Sequence, residues 1–247
     1  EKGLRQMAVF IAILDDDPAD RKQSERLLDR ERDARAGKGE VIYYDSYGSE
    51  EALLPYFLKY DLILIDVTRT MRDGMMIAVD LLRRGAEGKI VLYYDRIDYR
   101  KKYGDEEGVS FIQKPLWQKD FAKLVDMASH IHASKTPRIE LRGDGGTVYV
   151  TNDEILYGVS HGYYTAVALK GDRSFHALGD VMSVYDLLDQ DRFIFVSKTT
   201  FINMGHVVSS ERLSFRMTDG AVIKFSLINK KAITRAYEEY ARRVREE

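Results

Sequence analysis

Three short apolar runs in this chain each stop on charged residues: residues 10–17 read FIAILDDD, residues 62–66 read LILID, and residues 111–115 read FIQKP. Nearly continuous runs of Ile, Leu and Val at this length fit strands covered on both faces, as in a parallel sheet. Ligands of an open parallel sheet sit beyond the carboxyl ends of its strands. Asp15, Asp16, Asp66 and Lys114 are therefore expected to share one crevice. Taken alone, Asp15 to Asp17 also read as a helix N-cap run ahead of Pro18.

The chemistry of such a group is specific. Three carboxylates in one place repel each other unless a cation joins them, and hard Mg²⁺ prefers carboxylate oxygens and water. An aspartate can attack phosphorus, while a metal and a lysine neutralise charge on the phosphoryl oxygens. Asp66 fits the nucleophile and Lys114 the counter-charge.

With these residues in that order, the stretch from Val9 to about Ile131 resembles the receiver domain of two-component response regulators. Asp73-Gly74 falls where that family places a glycine before its third helix. The resemblance implies a doubly wound, flavodoxin-like α/β fold with Asp66 as phosphoacceptor. Asp15, Asp16, Asp66 and the backbone carbonyl of Thr68 would hold Mg²⁺, with Thr68 and Lys114 assisting the transfer. It also implies a sensor histidine kinase as phosphodonor. The serine or threonine that usually follows the fourth strand falls on Tyr94, Thr70 stands where a proline is common, and Phe111 is the aromatic of the fifth strand. Tyr94 and Phe111 are thus the expected switch pair.

With 247 residues and 45% hydrophobic content, the chain can bury two ordinary cores. Apolar runs at 10–14, 41–44, 62–65, 90–94 and 109–112 are expected as strands alternating with helices. In the last helix Phe121, Leu124, Val125 and Ala128 recur at helical spacing, and Trp117 opens it. Trp117, Met75 and Met76 are expected in the core. No run approaches a membrane span and no signal-peptide pattern opens the chain. Zero cysteines exclude disulfides and suit a cytoplasmic protein. The five histidines lack metal-ligand spacing.

Residues 133–138, ASKTPR, break the helical pattern at Thr136-Pro137. They are expected to link a first domain at 7–132 to a second at 139–242. Beyond them the pattern turns to alternation, with strands expected at 146–151, 165–169, 193–197, 213–217 and 222–227 and a hairpin at Asp219-Gly220.

This half resembles LytTR-type DNA-binding domains through Glu154 to Tyr157, His161 to Tyr164, residues 193–203 (FIFVSKTTFIN), Asp219-Gly220 and Phe225-Ser226. The resemblance implies antiparallel sheets whose loops enter major grooves of promoter DNA, with a homodimer expected. Tyr164, Lys198 and Ile228 fall at groove-facing positions, and His161, Asn229 and Lys230 are supporting candidates. Phe195, Ser197, Leu227 and Ile228 stand where basic residues are common. Fifteen Lys+Arg against fifteen Asp+Glu from Arg138 onward leave the half neutral, so phosphate binding requires a clustered patch. Lys198, Arg212, Arg216, Lys230 and Lys231 are its candidates.

Together these features predict a transcription regulator, not an enzyme beyond receiver self-phosphorylation and dephosphorylation. Two other classes fit parts of the pattern. One is a phosphorylation-independent receiver-like module, suggested by Tyr94. The other is a haloacid-dehalogenase-like phosphatase, suggested by DVTRT at 66–70, although Thr68 stands where that family carries a second aspartate.

Overall fold

The computed structural model describes residues 7–37, 40–67, 73–95, 108–225 and 227–246. The chain forms two compact units that divide between Thr136 and Pro137.

In the first unit, strands β1 (Met7–Leu14), β2 (Glu40–Tyr47), β3 (Leu62–Asp66), β4 (Lys89–Tyr94) and β5 (Val109–Gln113) form one sheet in the order β2-β1-β3-β4-β5. All four pairings are parallel. This is the doubly wound, flavodoxin-like order, reversing direction beside β1. Among the described residues of this unit the α-helices are α1 (Pro18–Arg35), the short α2 (Glu50–Leu53), α3 (Gly74–Arg83) and α4 (Gln118–Ser134).

Each apolar run feeds two cores because successive strand residues point to opposite faces. Ala12, Ile63, Ile65, Ile90 and Leu92 meet Ile77, Ala78 and Leu81 of α3 on one face. Ile11, Ile13, Leu62, Leu64 and Val91 meet Leu27 and Leu28 of α1 and Phe121, Leu124, Val125 and Ala128 of α4 on the other. Met75 is buried as expected, but Met76 and Trp117 are exposed. Met76 lies one residue further around α3, about 100° off its buried stripe, and Trp117 sits at the N-cap of α4.

Asp17 caps α1, its carboxylate accepting from the amides of Ala19 and Asp20, with Pro18 in the first turn. Arg35 near the other end of α1 bonds Glu31, Glu40 of β2 and Asp126 of α4 at 2.7–2.8 Å. The helix is therefore fixed at both ends, which holds its first turn beside the strand termini.

The second unit contains a seven-stranded antiparallel sheet in the order β11-β12-β8-β9-β10-β6-β7 and a three-stranded sheet β13-β14-β15. Expected strands appear as β7 (Gly146–Thr151), β9 (Tyr164–Leu169), β11 (Phe193–Ser197), β14 (Ser214–Met217) and β15 (Val222–Lys224). Five more were not anticipated: β6 (Arg138–Gly143), β8 (Ile155–Ser160), β10 (Arg173–Leu178), β12 (Thr200–Asn203) and β13 (Val207–Ser210). β6 alternates Ile139 and Leu141 with Arg138, Glu140 and Arg142 but directly follows the Thr136-Pro137 break, and β12 and β13 span four residues each, too short for an alternation to stand out.

β15 stops at Lys224, not at residue 227, because the chain turns at Leu227–Asn229 into α6 (Lys230–Glu246). A short α5 (Val181–Tyr185) follows β10. Asp219-Gly220 makes the β14–β15 hairpin, with Gly220 at φ 85° and the Asp219 carboxylate accepting from the amide of Ala221. Ile233 of α6 is buried beside Val196, Phe215 and Phe225.

Gly158 of β8 is the register partner of Phe201 on β12, and a Cβ there would lie 2.3 Å from the Phe201 ring. Phe201 is fully buried among the rings of Tyr185, Phe193 and Phe195, so it can yield only by disturbing them. Gly158→Ala should destabilise the second unit by about 1–3 kcal/mol. Urea unfolding of the full chain, followed by probes in each unit, reads this as a lower midpoint confined to the second.

Candidate functional site

The parallel register carries β1, β3 and β5 to one edge of the sheet, and the charged residues that end them meet there. Asp15 follows β1, Asp66 ends β3, and Lys114 follows β5. The carboxylates of Asp15, Asp16 and Asp66 offer ligand atoms all within 4.8 Å of one another, the one such metal-ligating group among the described residues. Asp15 and Asp66 are buried and Asp16 is exposed. Lys114 Nζ donates to Asp66 Oδ2 at 3.0 Å. The four residues expected to converge do so.

Two further residues complete the pocket. Lys114 Nζ also donates to Asp20 Oδ2, at 2.7 Å. Tyr93 of β4 is the register partner of Asp66, so its side chain leaves the same face of the sheet. Its hydroxyl donates to Asp15 Oδ2 at 2.7 Å, and Lys114 Nζ lies 4.8 Å from its ring centroid. The amide of Asp17 donates to Asp15 Oδ1 at 2.8 Å, so each oxygen of that carboxylate already accepts one bond.

The electrostatics follow from burial and these partners. Burial pushes the Asp15 carboxyl above its ordinary value; Tyr93 and the Asp17 amide pull it back, and the charge of Asp66 adds to the rise. Burial works against the Lys114 ammonium, but its bonds to Asp20 and Asp66 outweigh that and hold its pKa above the ordinary lysine value. Burial, with the charge of Asp15 next, keeps the Tyr93 phenol well above its usual range, so it remains a donor.

Tyr94 points the other way. It is buried with Phe111 in the cluster facing α3, while its backbone carbonyl accepts from the amide of Lys114 at 2.6 Å. The expected switch pair thus shares one cluster, on the sheet face opposite Tyr93. Thr68 and Thr70 lie outside the described residues.

In the second unit, several loops collect at one end of the seven-stranded sheet. The amide of Ser160, at the end of β8, donates to the carbonyl of Thr199 in the β11–β12 turn, which brings His161 and Lys198 to neighbouring loops. Lys198 is exposed. Tyr164 has two ring neighbours: His161 stacks on it at 5.2 Å between centroids, and His176 of β10 lies 4.7 Å away on a tilted ring. Neighbouring Tyr163 is 95% exposed.

Asn229 and Lys230 sit where α6 begins. Arg243, near the far end of α6, donates to the carbonyl of Asp191 just before β11, and Ile233 near its start clusters with Val196 near the end of β11. The helix therefore runs antiparallel to β11, and its N-terminus lies toward the Lys198 turn. Leu227 and Ile228 are exposed there, and Ser226 lies outside the described residues. Arg216 pairs with Glu211 at 3.3 Å.

Sequence reasoning missed Asp20 and Tyr93. Asp20 reads as an ordinary acid in the first turn of a helix, and Tyr93 as the apolar residue before Tyr94. Their roles in the pocket come from partners 94 and 78 residues away.

The raised Asp15 carboxyl has a consequence for stability. Its protonated form is favoured in the folded state, so its contribution is full below the ordinary carboxylate range and is lost as pH rises through its folded value. In the absence of divalent cations, Asp15→Asn should therefore raise the thermal midpoint by several degrees at pH 7. Melting curves from pH 7 down to about pH 3 should show the gain shrinking as Asp15 protonates in the parent protein.

No protein-family profile matches the chain, and no curated protein does. Solved structures do. A receiver-domain protein from Clostridium thermocellum is 15% identical over 49% of this chain and 94% of its own, with a TM-score of 0.41. A response regulator from Thermotoga maritima, solved in complex with Mg²⁺-BeF, is 20% identical over 50% of this chain and 98% of its own, with a TM-score of 0.38. A LytTr DNA-binding domain from Bacillus cereus is 16% identical over 41% of this chain and 97% of its own, with a TM-score of 0.36. About half of the chain is thus similar to response-regulator receiver domains, and about two-fifths to a LytTr DNA-binding domain.

Proposed function

We propose that the chain is a two-component response regulator: the first unit accepts a phosphoryl group on Asp66 from a sensor histidine kinase, and the second binds promoter DNA. The observation that carries this reading is the buried Asp66 carboxylate held 3.0 Å from the Lys114 ammonium, beside Asp15 and Asp16. Asp66 is the nucleophile, and Lys114 takes up charge on the incoming oxygens.

The donor set fits Mg²⁺. Three hard carboxylates, with Asp15 made less acidic by burial and, to a lesser degree, by Asp66, are a poor arrangement without a cation and a good one with it. Asp16, exposed and closest to solvent, would bind it directly. Asp15, whose two oxygens already accept from Tyr93 and Asp17, would hold it through a remaining lone pair or water. When bound, the metal neutralises phosphoryl charge. No role is assigned to Thr68, which lies outside the described residues.

Phosphorylation would act through a homodimer, with output at the DNA loops. Lys198, His161, Tyr164 and the Asn229–Lys230 start of α6 lie toward one end of the second unit and form its DNA surface. Transfer to and from Asp66 is the only chemistry in this reading. No helix among the described residues is long and apolar enough to cross a membrane. One observation favours a second reading, regulation without phosphorylation: Tyr94 is buried against the α3 face, where a small hydroxyl would otherwise respond to the phosphoryl group.

Asp66→Asn should abolish acid-labile phosphorylation by a small phosphodonor with Mg²⁺ while leaving the fold intact. Intact-mass analysis checks this, and undiminished incorporation would assign the nucleophile elsewhere. For the DNA surface, Lys198→Ala should separate two roles in binding titrations at several salt concentrations. A phosphate contact should weaken all duplexes and reduce the salt slope by about one, whereas a base contact should cost roughly 1–3 kcal/mol mainly on the cognate site. Parent-like binding to both cognate and random duplexes would remove Lys198 from the interface.

A further inference from the structure

Lys114 divides its charge between two carboxylates held very differently. Asp66 is 1% exposed, fixed at the end of a central strand, and bonds Lys114 at 3.0 Å. Asp20 is 48% exposed, stands on the first turn of α1, and bonds it more closely, at 2.7 Å. The Asp20 side chain can swing toward solvent, whereas that of Asp66 cannot. We propose that Asp20 is a positioning residue that competes for Lys114, favouring the cation-loaded pocket and opposing the phosphoryl-loaded one until it releases the ammonium. The inference rests on the phosphoacceptor reading and extends it to regulation of the same site.

The charge balance gives the direction. Asp15, Asp16, Asp20 and Asp66 contribute four negative charges, against one on Lys114 and two on a bound Mg²⁺. Phosphorylation adds negative charge at Asp66, where Lys114 is needed most. The step itself, with an acyl phosphate as donor, forms a bond from an Asp66 oxygen to phosphorus. The bond from phosphorus to the acyl oxygen breaks, and the carboxylate leaves with the electron pair. The phosphoryl oxygens gather beside Asp66, which Lys114 bonds, so an acid that draws the ammonium away slows the step. For a bare cation the sign reverses, because Asp20 adds negative potential and restrains Lys114 from repelling the metal. A helix-stabilising acid at the N-terminus of α1 would change stability without producing this opposition.

Asp20→Asn in the full chain tests the competition. Mg²⁺ titration can be followed by the fluorescence of Trp117, the single tryptophan of the sequence and a wall of the groove that Asp20 and Lys114 also line. The variant should bind Mg²⁺ more weakly, and at saturating Mg²⁺ should bind beryllofluoride more tightly and react faster with acetyl phosphate, each by roughly three- to tenfold. The differences should shrink as ionic strength rises, and Asp20→Glu should restore parent behaviour. Unchanged Mg²⁺ affinity, or cation and anion affinities moving in the same direction, overturns the proposal. If the parent takes up neither phosphate nor beryllofluoride, the phosphoacceptor reading fails by itself, and the Mg²⁺ titration still decides whether Asp20 holds Lys114 away from a cation.

Discussion

The Lys114 ammonium is the point on which the first unit's chemistry depends. It arrives from β5, bonds Asp66 at the end of β3 and Asp20 at the start of α1, and lies over the ring of Tyr93 from β4. Three parallel strands and one helix must be in register for these contacts to exist. A buried carboxylate such as Asp66 is costly to keep charged without a partner, so the pair is a structural need as well as a chemical device. The opposition of Asp20 and Asp66 over one cation makes the pocket responsive, since a new charge on either side shifts the ammonium.

Tyr93 and Tyr94 show how the sheet sorts adjacent residues into different tasks. Strand alternation sends Tyr93 to the α1–α4 face, where its hydroxyl fixes Asp15, and Tyr94 to the α3 face, where it joins Phe111. The acid-lined pocket and the aromatic cluster are thus separated by one backbone position. The amide of Lys114 bonds the carbonyl of Tyr94, so the same segment borders both.

The second unit gathers its candidate residues by a different geometry. A parallel sheet brings unlike strand ends to one edge, whereas an antiparallel sheet places alternate hairpin loops at one end. The Ser160–Thr199 bond joins two such loops and sets His161 near Lys198. The overall balance of charge matters less there than position, because a neutral domain can still present cations at a single end.

Composition and pattern alone determined the two-part division, the five apolar runs of the first sheet, an N-cap run within Asp15 to Asp17, the Asp219-Gly220 hairpin and the convergence of Asp15, Asp16, Asp66 and Lys114. Each depends on local signals: a run of β-formers, a capping residue, a turn dipeptide, or charges that end strands sharing one direction. The shortest additional strands of the second unit were not legible, because four-residue segments such as β12 and β13 become strands only through neighbours that supply their hydrogen bonds. Nor could local sequence separate Met75 from Met76, or reveal that the Tyr164 ring meets two histidines. Above all, the tertiary structure decided that Asp20 would share Lys114 and that Tyr93 would hold Asp15. Those bonds join residues far apart in the chain, and sequence encodes their distance only through the packing of α1 and the register of β3 against β4.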